Sequence, residues 1–106
     1  MPIIYEYLGI IIRFYSNEHE PIHVHAIYDG NIIKVEFLIK DGKIYRTNYK
    51  VVKGNFPPAK LKLLKNFISV FKLKIVWNWE RYFIWKMKVE KQVITTKKLT
   101  NEDSYN

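Results

Sequence analysis

All three histidines of the chain, His19, His23 and His25, lie in one short stretch, N-E-H-E-P-I-H-V-H-A-I-Y, at residues 17–28. Proline disfavours a helix at its own position and at the residue before it, so the stretch is predicted to be a turn that leads into a strand. Successive side chains of a strand point to opposite faces. We therefore expect His23 and His25 to share one face, and the apolar residues between them to face the core.

Two imidazoles on one strand face stand about 7 Å apart at the backbone, which suits several kinds of chemistry. They could act as acid and base on one substrate, bind an anion, or join a third imidazole on a divalent metal. A neighbouring carboxylate such as Glu18 can ligate a metal, orient a histidine or carry a proton. The alternative is that the pair simply occupies the solvent face of a hairpin strand. The candidate catalytic residues are His23, His25, His19 and Glu18, and the candidate metal ligands are His19, His23 and His25.

The basic charge of the chain is concentrated in its second half. The net charge is +8, and residues 57–106 contain 11 of the 18 basic residues but only 4 of the 10 acidic ones. Such asymmetry is typical of a surface that binds RNA, DNA or an acidic protein, although a lysine-rich composition also arises from genome bias or growth at high temperature. The candidate nucleic-acid or partner-binding residues are Lys62, Lys65, Lys72, Trp79 and Arg81.

Several classes of protein are excluded by what the sequence lacks. There is no cysteine, which removes disulfides and thiol catalysis. No glycine-rich phosphate loop, G-x-S-x-G or H-E-x-x-H motif occurs, so nucleoside triphosphatases, serine hydrolases and zincins are disfavoured. Neither a signal peptide nor a membrane span is recognisable, and we expect a cytoplasmic protein that does not associate with membranes.

The distribution of apolar residues predicts an α+β domain over residues 1–100, followed by a frayed polar tail at 101–106. Runs of alternating or β-branched residues, and the turn signals Asp29-Gly30 and Asp41-Gly42, predict an antiparallel sheet of four to five strands. Apolar residues at three- and four-residue steps then predict one long helix over residues 58–77, packed across the sheet. Alternation over residues 83–90 predicts a further strand, with 93–96 extending it or completing a C-terminal strand pair. The predicted strands are 3–7, 9–15, 22–28, 32–38 and 43–52, and the apolar stripe of the helix is Leu61, Leu64, Phe67, Ile68, Phe71 and Ile75.

The order of short motifs resembles a small bacterial family known as domain of unknown function 4160. Its signature is approximately M-P-x-I, then G-I-x-I, then [DE]-H-x-P-P-H-x-H-A-x-Y, and this chain has M-P-I-I, G-I-I-I and E-H-E-P-I-H-V-H-A-I-Y in the same order. The pairs Phe56-Pro57 and Asn78-Trp79 also match in order and spacing. The similarity covers about residues 1–80, and its most specific part is E-H-x-P-x-H-x-H.

The resemblance implies a toxin-like member of a two-protein module, because some members are described as toxins encoded beside a small partner protein. Carried over by position, the motif residues are Glu18, His19, Pro21, His23, His25, Asn78 and Trp79. The chain departs from the pattern at Ile22, which replaces a proline, and at Phe71, where many members have a histidine. A mechanism that needs a fourth imidazole on the helix is therefore not available to this chain.

Three functional hypotheses follow from the residues and the resemblance together. The first is a toxin-like domain that acts on or binds RNA or another anionic target through the histidines. The second is a non-catalytic adaptor whose basic second half binds an acidic partner protein. The third is a metal-binding module that uses the three histidines.

Overall fold

The computed structural model describes residues 2–15 and 21–100, and within them a single helix packs on a six-stranded sheet. The strands are β1 (Ile3–Tyr7), β2 (Ile10–Phe14), β3 (Ile22–Tyr28), β4 (Asn31–Lys40), β5 (Lys43–Lys53) and β6 (Gln92–Ile94), and the helix is α1 (Pro58–Phe83). The strand order is β5-β4-β3-β2-β1-β6. The first five strands form an antiparallel meander, whereas β6 pairs with β1 in parallel.

Two-residue turns join three of the four antiparallel strand pairs of the meander, including the two predicted at Asp29-Gly30 and Asp41-Gly42. Asp29 and Gly30 have φ values of 48° and 78°. A positive φ at both central residues defines the tight hairpin turn whose twist matches that of the flanking strands, and aspartate followed by glycine adopts it readily. The turn sets the pairing of β3 with β4, so that Tyr28 lies opposite Asn31 and His25 opposite Lys34.

The core lies between α1 and one face of the sheet. Phe67 is fully buried, with its ring centroid 4.8 Å from that of Tyr7 and 4.3 Å from that of Phe71. Val24 and Ala26 of β3 are also fully buried, as their alternation with the histidines predicts. The predicted helical stripe is confirmed over its buried part, which comprises Leu64, Phe67, Ile68, Phe71 and Ile75.

The C-terminal third differs from the prediction in two respects. The helix begins at Pro58 as expected but continues to Phe83 rather than ending near residue 77. Its last turns stay helical because Tyr82 and Phe83 pack on Phe14, at centroid distances of 5.7 and 5.6 Å. Residues that follow wrap around the end of the helix, where the Met87 N–H donates to the Arg81 carbonyl over 2.9 Å.

The α+β fold and its five antiparallel strands are confirmed, whereas the predicted C-terminal strand pair is wrong and a sixth, parallel strand makes the sheet mixed. Residues 84–91 form no strand, and β6 alone joins the sheet, at the free edge of β1. The two-residue alternation that favoured a strand is present here in a segment whose side chains are mostly exposed. The predicted tail at 101–106 lies outside the described residues. In the part of the chain that the structure describes, no helix is long and apolar enough to cross a membrane.

Candidate functional site

The sheet face opposite α1 carries both described histidines, and we call it the histidine face. Strand register brings four basic side chains of this face into one row across β2, β3, β4 and β5. Arg13 lies opposite His25, His25 opposite Lys34, and Lys34 opposite Lys50. Because neighbouring strands lie about 4.8 Å apart, this row extends over about 14 Å. We call Arg13, His25, Lys34 and Lys50 the cationic row.

His23 and His25 are both largely buried, with relative exposures of 2% and 8%. They are thus not the exposed pair that the solvent-face alternative predicts. Their ring centroids are 6.0 Å apart, and His25 also stacks on Tyr15 at 4.2 Å with an interplanar angle of 17°. The two rings are therefore close neighbours, and little of either is exposed.

A backbone hydrogen bond determines the tautomer of His23. Its Nδ1 lies 2.8 Å from the carbonyl oxygen of Pro21. A carbonyl oxygen can only accept a hydrogen bond, so Nδ1 carries the proton. In the neutral imidazole the lone pair is then on Nε2, which is the nitrogen able to accept a proton or ligate a metal.

Glu36 is an acidic residue of the histidine face. It lies opposite His23 on β4 and is only 5% exposed. Its carboxylate oxygens are 3.0 Å from Nζ of Lys50 and 3.6 Å from Nζ of Lys34. One carboxylate therefore contacts two lysines of the cationic row.

The proposed metal site depends on residues outside the part of the chain that the structure describes. Glu18 and His19 lie outside the described residues, so their convergence with His23 and His25 stays a prediction. Within residues 2–15 and 21–100, no three His, Cys, Asp or Glu side chains are grouped so as to hold a metal ion. The donors present at the described part of the site are two imidazoles and one carboxylate already engaged by lysines.

The remaining candidate residues lie on α1, away from the histidine face. Lys62 and Lys65 are exposed near the start of the helix, where Nζ of Lys65 is 5.3 Å from the centroid of the Tyr49 ring. Burial raises the pKa of the Tyr49 phenol above its usual value. Lys72 is half-buried further along the same helix.

The exposed tryptophan of the helix is Trp77, whereas the candidate binding residue Trp79 is partly buried. The Trp79 ring packs on Phe83 at a centroid distance of 4.9 Å and is partly buried against the core. Trp77 is 52% exposed, and the guanidinium of Arg81 lies 4.5 Å above its ring. The predicted binding residues of the helix thus lie in two regions, one near Lys62 and one near Arg81.

Two motif residues of the helix have structural roles. Asn78 Nδ2 donates to the phenol oxygen of Tyr5 over 3.5 Å. Burial raises the pKa of Tyr5 to about 12, an effect that this hydrogen bond partly opposes. Phe71 is fully buried on Tyr5 and Phe67. A histidine at position 71 would therefore lie on the core side of the sheet, away from His23 and His25.

Five residues of this face were not among the candidates from the sequence: Arg13, Tyr15, Lys34, Glu36 and Lys50. A signal for two of them was present, because the two-residue turn at Asp29-Gly30 pairs residue 25 with 34 and residue 23 with 36. No comparable local signal places Arg13 and Tyr15 beside His25, since residues 16–20 separate β2 from β3.

Comparison with known proteins gives one match. A family model described as "Domain of unknown function (DUF4160)" matches residues 9–80. No curated protein and no solved structure matches the chain.

Proposed function

The chain belongs to the DUF4160 family, and we propose that it binds RNA or a similar polyanion across its histidine face, as the toxin-like member of a two-protein module. The observation that carries the proposal is the cationic row, which aligns Arg13, Lys34 and Lys50 with His25. The toxin-like role and the small partner protein rest on the family resemblance alone.

The cationic row suits a phosphate backbone. Arginine and lysine supply most of the sequence-independent affinity of proteins for nucleic acids, because they displace counterions from the phosphates. Arg13 adds a planar guanidinium that can contact two phosphate oxygens at once. Tyr15 is 50% exposed and stacked on His25, so its outer face is available to an unpaired base.

The histidine pair would supply acid–base catalysis on the bound RNA. Nε2 of His23 is the basic nitrogen of that ring, so His23 would accept the proton of a ribose 2′-hydroxyl as its oxygen attacks the phosphorus. Protonated His25 would donate a proton to the departing 5′-oxygen, and a water would restore both rings. This cleavage needs one neutral and one protonated imidazole.

A binding and cleavage assay tests the proposal. Anisotropy of a labelled single-stranded RNA at low salt is expected to report binding that weakens steeply with salt. Arg13→Gln or Lys34→Gln should reduce the slope of log affinity against log salt by about one. Lys62→Gln, which removes the same charge from the exposed surface of the helix, is the matched control and should leave the slope unchanged. His25→Gln should abolish cleavage while RNA stays bound.

Absence of RNA binding by the intact, folded chain would contradict the proposal. A reduction of the salt-dependence slope by Lys62→Gln as large as that by Lys34→Gln would contradict it as well. Growth of bacteria that express the chain tests the toxin-like role separately. The intact chain is expected to arrest growth and the His25→Gln variant to permit it. Arrest by both proteins would assign toxicity to another surface.

An adaptor that binds an acidic partner protein is the second candidate, favoured by the exposed aromatic side chains near Arg81. A metal-binding module remains the third. It requires His19 to join His23 and His25, and stoichiometric zinc, manganese or nickel binding that is lost in His19→Ala would support it.

A further inference from the structure

Large apolar side chains are exposed together where α1 ends. Trp77 is 52% exposed, Trp85 69% and Met87 46%, and these three side chains line one shallow depression with Arg81. We call Trp77, Trp85 and Met87 the aromatic patch. Contiguous exposed apolar surface of this kind usually marks a site of macromolecular contact, because leaving it in water is unfavourable.

A basic groove adjoins the aromatic patch. It has a volume of about 460 Å³ and lies between α1 and residues 88–92. Trp77 and Arg81 line both the groove and the depression, so the two surfaces are continuous. The charged side chains that line the groove are Lys74, Arg81, Lys88 and Lys91, with Glu90 as the one carboxylate among them.

We propose that the aromatic patch and the basic groove together dock an acidic segment of a partner protein that carries apolar side chains. Charge complementarity assigns the acidic residues of the partner to the groove, which four basic side chains and the carboxylate of Glu90 line, and Glu6 contacts one of these four, Lys91. The apolar side chains of the partner cover Trp77, Trp85 and Met87. Tryptophan and arginine are the residue types that most often dominate the energy of protein interfaces, and here they stack on each other at the centre of the surface.

The composition of the surface favours a protein over a single-stranded nucleic acid. Bases stack on aromatic rings, but they gain little from an aliphatic side chain such as Met87. One face of the Trp77 ring is already covered by Arg81. A protein segment buries aromatic and aliphatic groups alike, and its carboxylates pair with arginine in a planar, two-bond geometry.

The surface is held in shape by contacts to the rest of the fold, so little order must be gained on binding. Asn78, beside Trp77, donates to Tyr5 of β1 over 3.5 Å. At the other wall, Nζ of Lys91 lies 3.2 Å from the carboxylate of Glu6. The segment between the walls is anchored by the hydrogen bond from Met87 to the carbonyl of Arg81. These contacts involve no residue of the cationic row, and the inference stands without the proposed RNA-binding function.

Selection of displayed random peptides against the intact chain tests this docking surface. Enriched peptides are expected to combine Asp or Glu with Leu, Phe or Trp. Synthetic versions should lose about tenfold or more in affinity to Trp77→Ala and to Arg81→Glu. The matched controls are Leu73→Ala, which truncates another exposed apolar residue of the helix, and Lys62→Glu, which reverses an exposed charge outside the groove. Both should change affinity less than about twofold.

Failure to enrich any peptide would overturn the proposal, and so would peptides without acidic residues or peptides that bind the Trp77→Ala variant unchanged. Oligouridine and phosphatidylglycerol vesicles are tested in parallel by the fluorescence of the exposed tryptophans. Binding of either that requires Trp77 and excludes the peptide would reassign the surface to nucleic acid or to membrane. The four variants and the wild type are compared only after their thermal unfolding shows a native fold.

Discussion

Replacing Glu36 by glutamine is expected to change stability and anion affinity in opposite directions. The substitution keeps the shape of the side chain but removes a carboxylate that contacts both Lys34 and Lys50, at 3.6 and 3.0 Å. Glu36 is 5% exposed, so its charge is poorly hydrated and depends on these lysines. The variant removes one attractive contact of each lysine in the folded state, and it also removes a negative charge that would repel a bound anion.

The expected loss of stability follows from the exposure of the partners. Removing one member of a fully buried ion pair costs roughly 3–5 kcal/mol, whereas an exposed pair is worth about 0–1 kcal/mol. The side chain of Lys34 is 19% exposed and that of Lys50 58% exposed. We therefore expect Glu36→Gln to lower the free energy of unfolding by about 1–2 kcal/mol, or the midpoint of thermal unfolding by roughly 4–10 °C.

The gain in anion affinity follows from Coulomb's law. A phosphate bound over His25 would lie about 7 Å from the carboxylate of Glu36, the distance between diagonal neighbours on paired strands. Two negative charges at ~7 Å repel by about 0.6 kcal/mol in water and by about 2.4 kcal/mol at an effective dielectric constant of ~20. Removing that repulsion should strengthen RNA binding roughly threefold to fiftyfold at low salt, and less as salt screens the interaction.

Urea unfolding and RNA anisotropy on the same preparations measure the two effects. Glu90→Gln is the matched control, because it removes one negative charge from an exposed position away from the histidine face. It should change stability by less than about 0.5 kcal/mol and RNA affinity by less than twofold. If Glu36→Gln loses stability without a gain in affinity beyond that of Glu90→Gln, RNA does not bind at the cationic row and the reasoning is refuted.

Two further predictions concern the scaffold. Gly54 and Gly42 have φ values of 63° and 75°, but an added Cβ would meet Oδ1 of Asn31 at Gly54 and open space at Gly42. We expect Gly54→Ala to lower the free energy of unfolding by about 1–2 kcal/mol more than Gly42→Ala in urea unfolding, and equal losses would contradict this packing. Because burial raises the pKa of Tyr5 from 10.0 to about 12, the folded state binds a proton that the unfolded state has released between these values. Stability should therefore fall by roughly 2–3 kcal/mol as the pH rises through this window, and Tyr5→Phe, compared by urea unfolding at several pH values, should lack that part of the fall.

Local patterns predicted the meander and the start of the helix because their causes are local. Alternation in β3 assigns Val24 and Ala26 to the core, and the turn at Asp29-Gly30 aligns β3 with β4. The stripe of α1 follows from the helical period, and Phe67 and Phe71 are fully buried as it requires. The sequence alone also predicted that His23 and His25 share a face opposite the helix.

Contacts between distant parts of the chain decided the rest. The parallel pairing of β6 with β1 joins residues almost ninety positions apart, and no local pattern encodes it. Trp77 is exposed and Trp79 is partly buried because of how α1 is rotated against the sheet. Phe83 fixes that rotation, because it packs on Phe14 of β2 and on Trp79. Two-residue alternation does not distinguish a paired strand from an exposed segment, and residues 84–91 proved to be the latter.

The candidate site likewise has features that follow from the local sequence and features that depend on contacts between distant parts of the chain. The sequence by itself determined the two histidines and their common strand face, because both lie within one strand and the side-chain alternation of a strand is fixed by its backbone. Only the tertiary structure buried them, stacked Tyr15 on His25, and brought Arg13, Lys34 and Lys50 into one row. Those neighbours come from three other strands, and their alignment depends on the hydrogen-bond register between strands rather than on spacing along the chain.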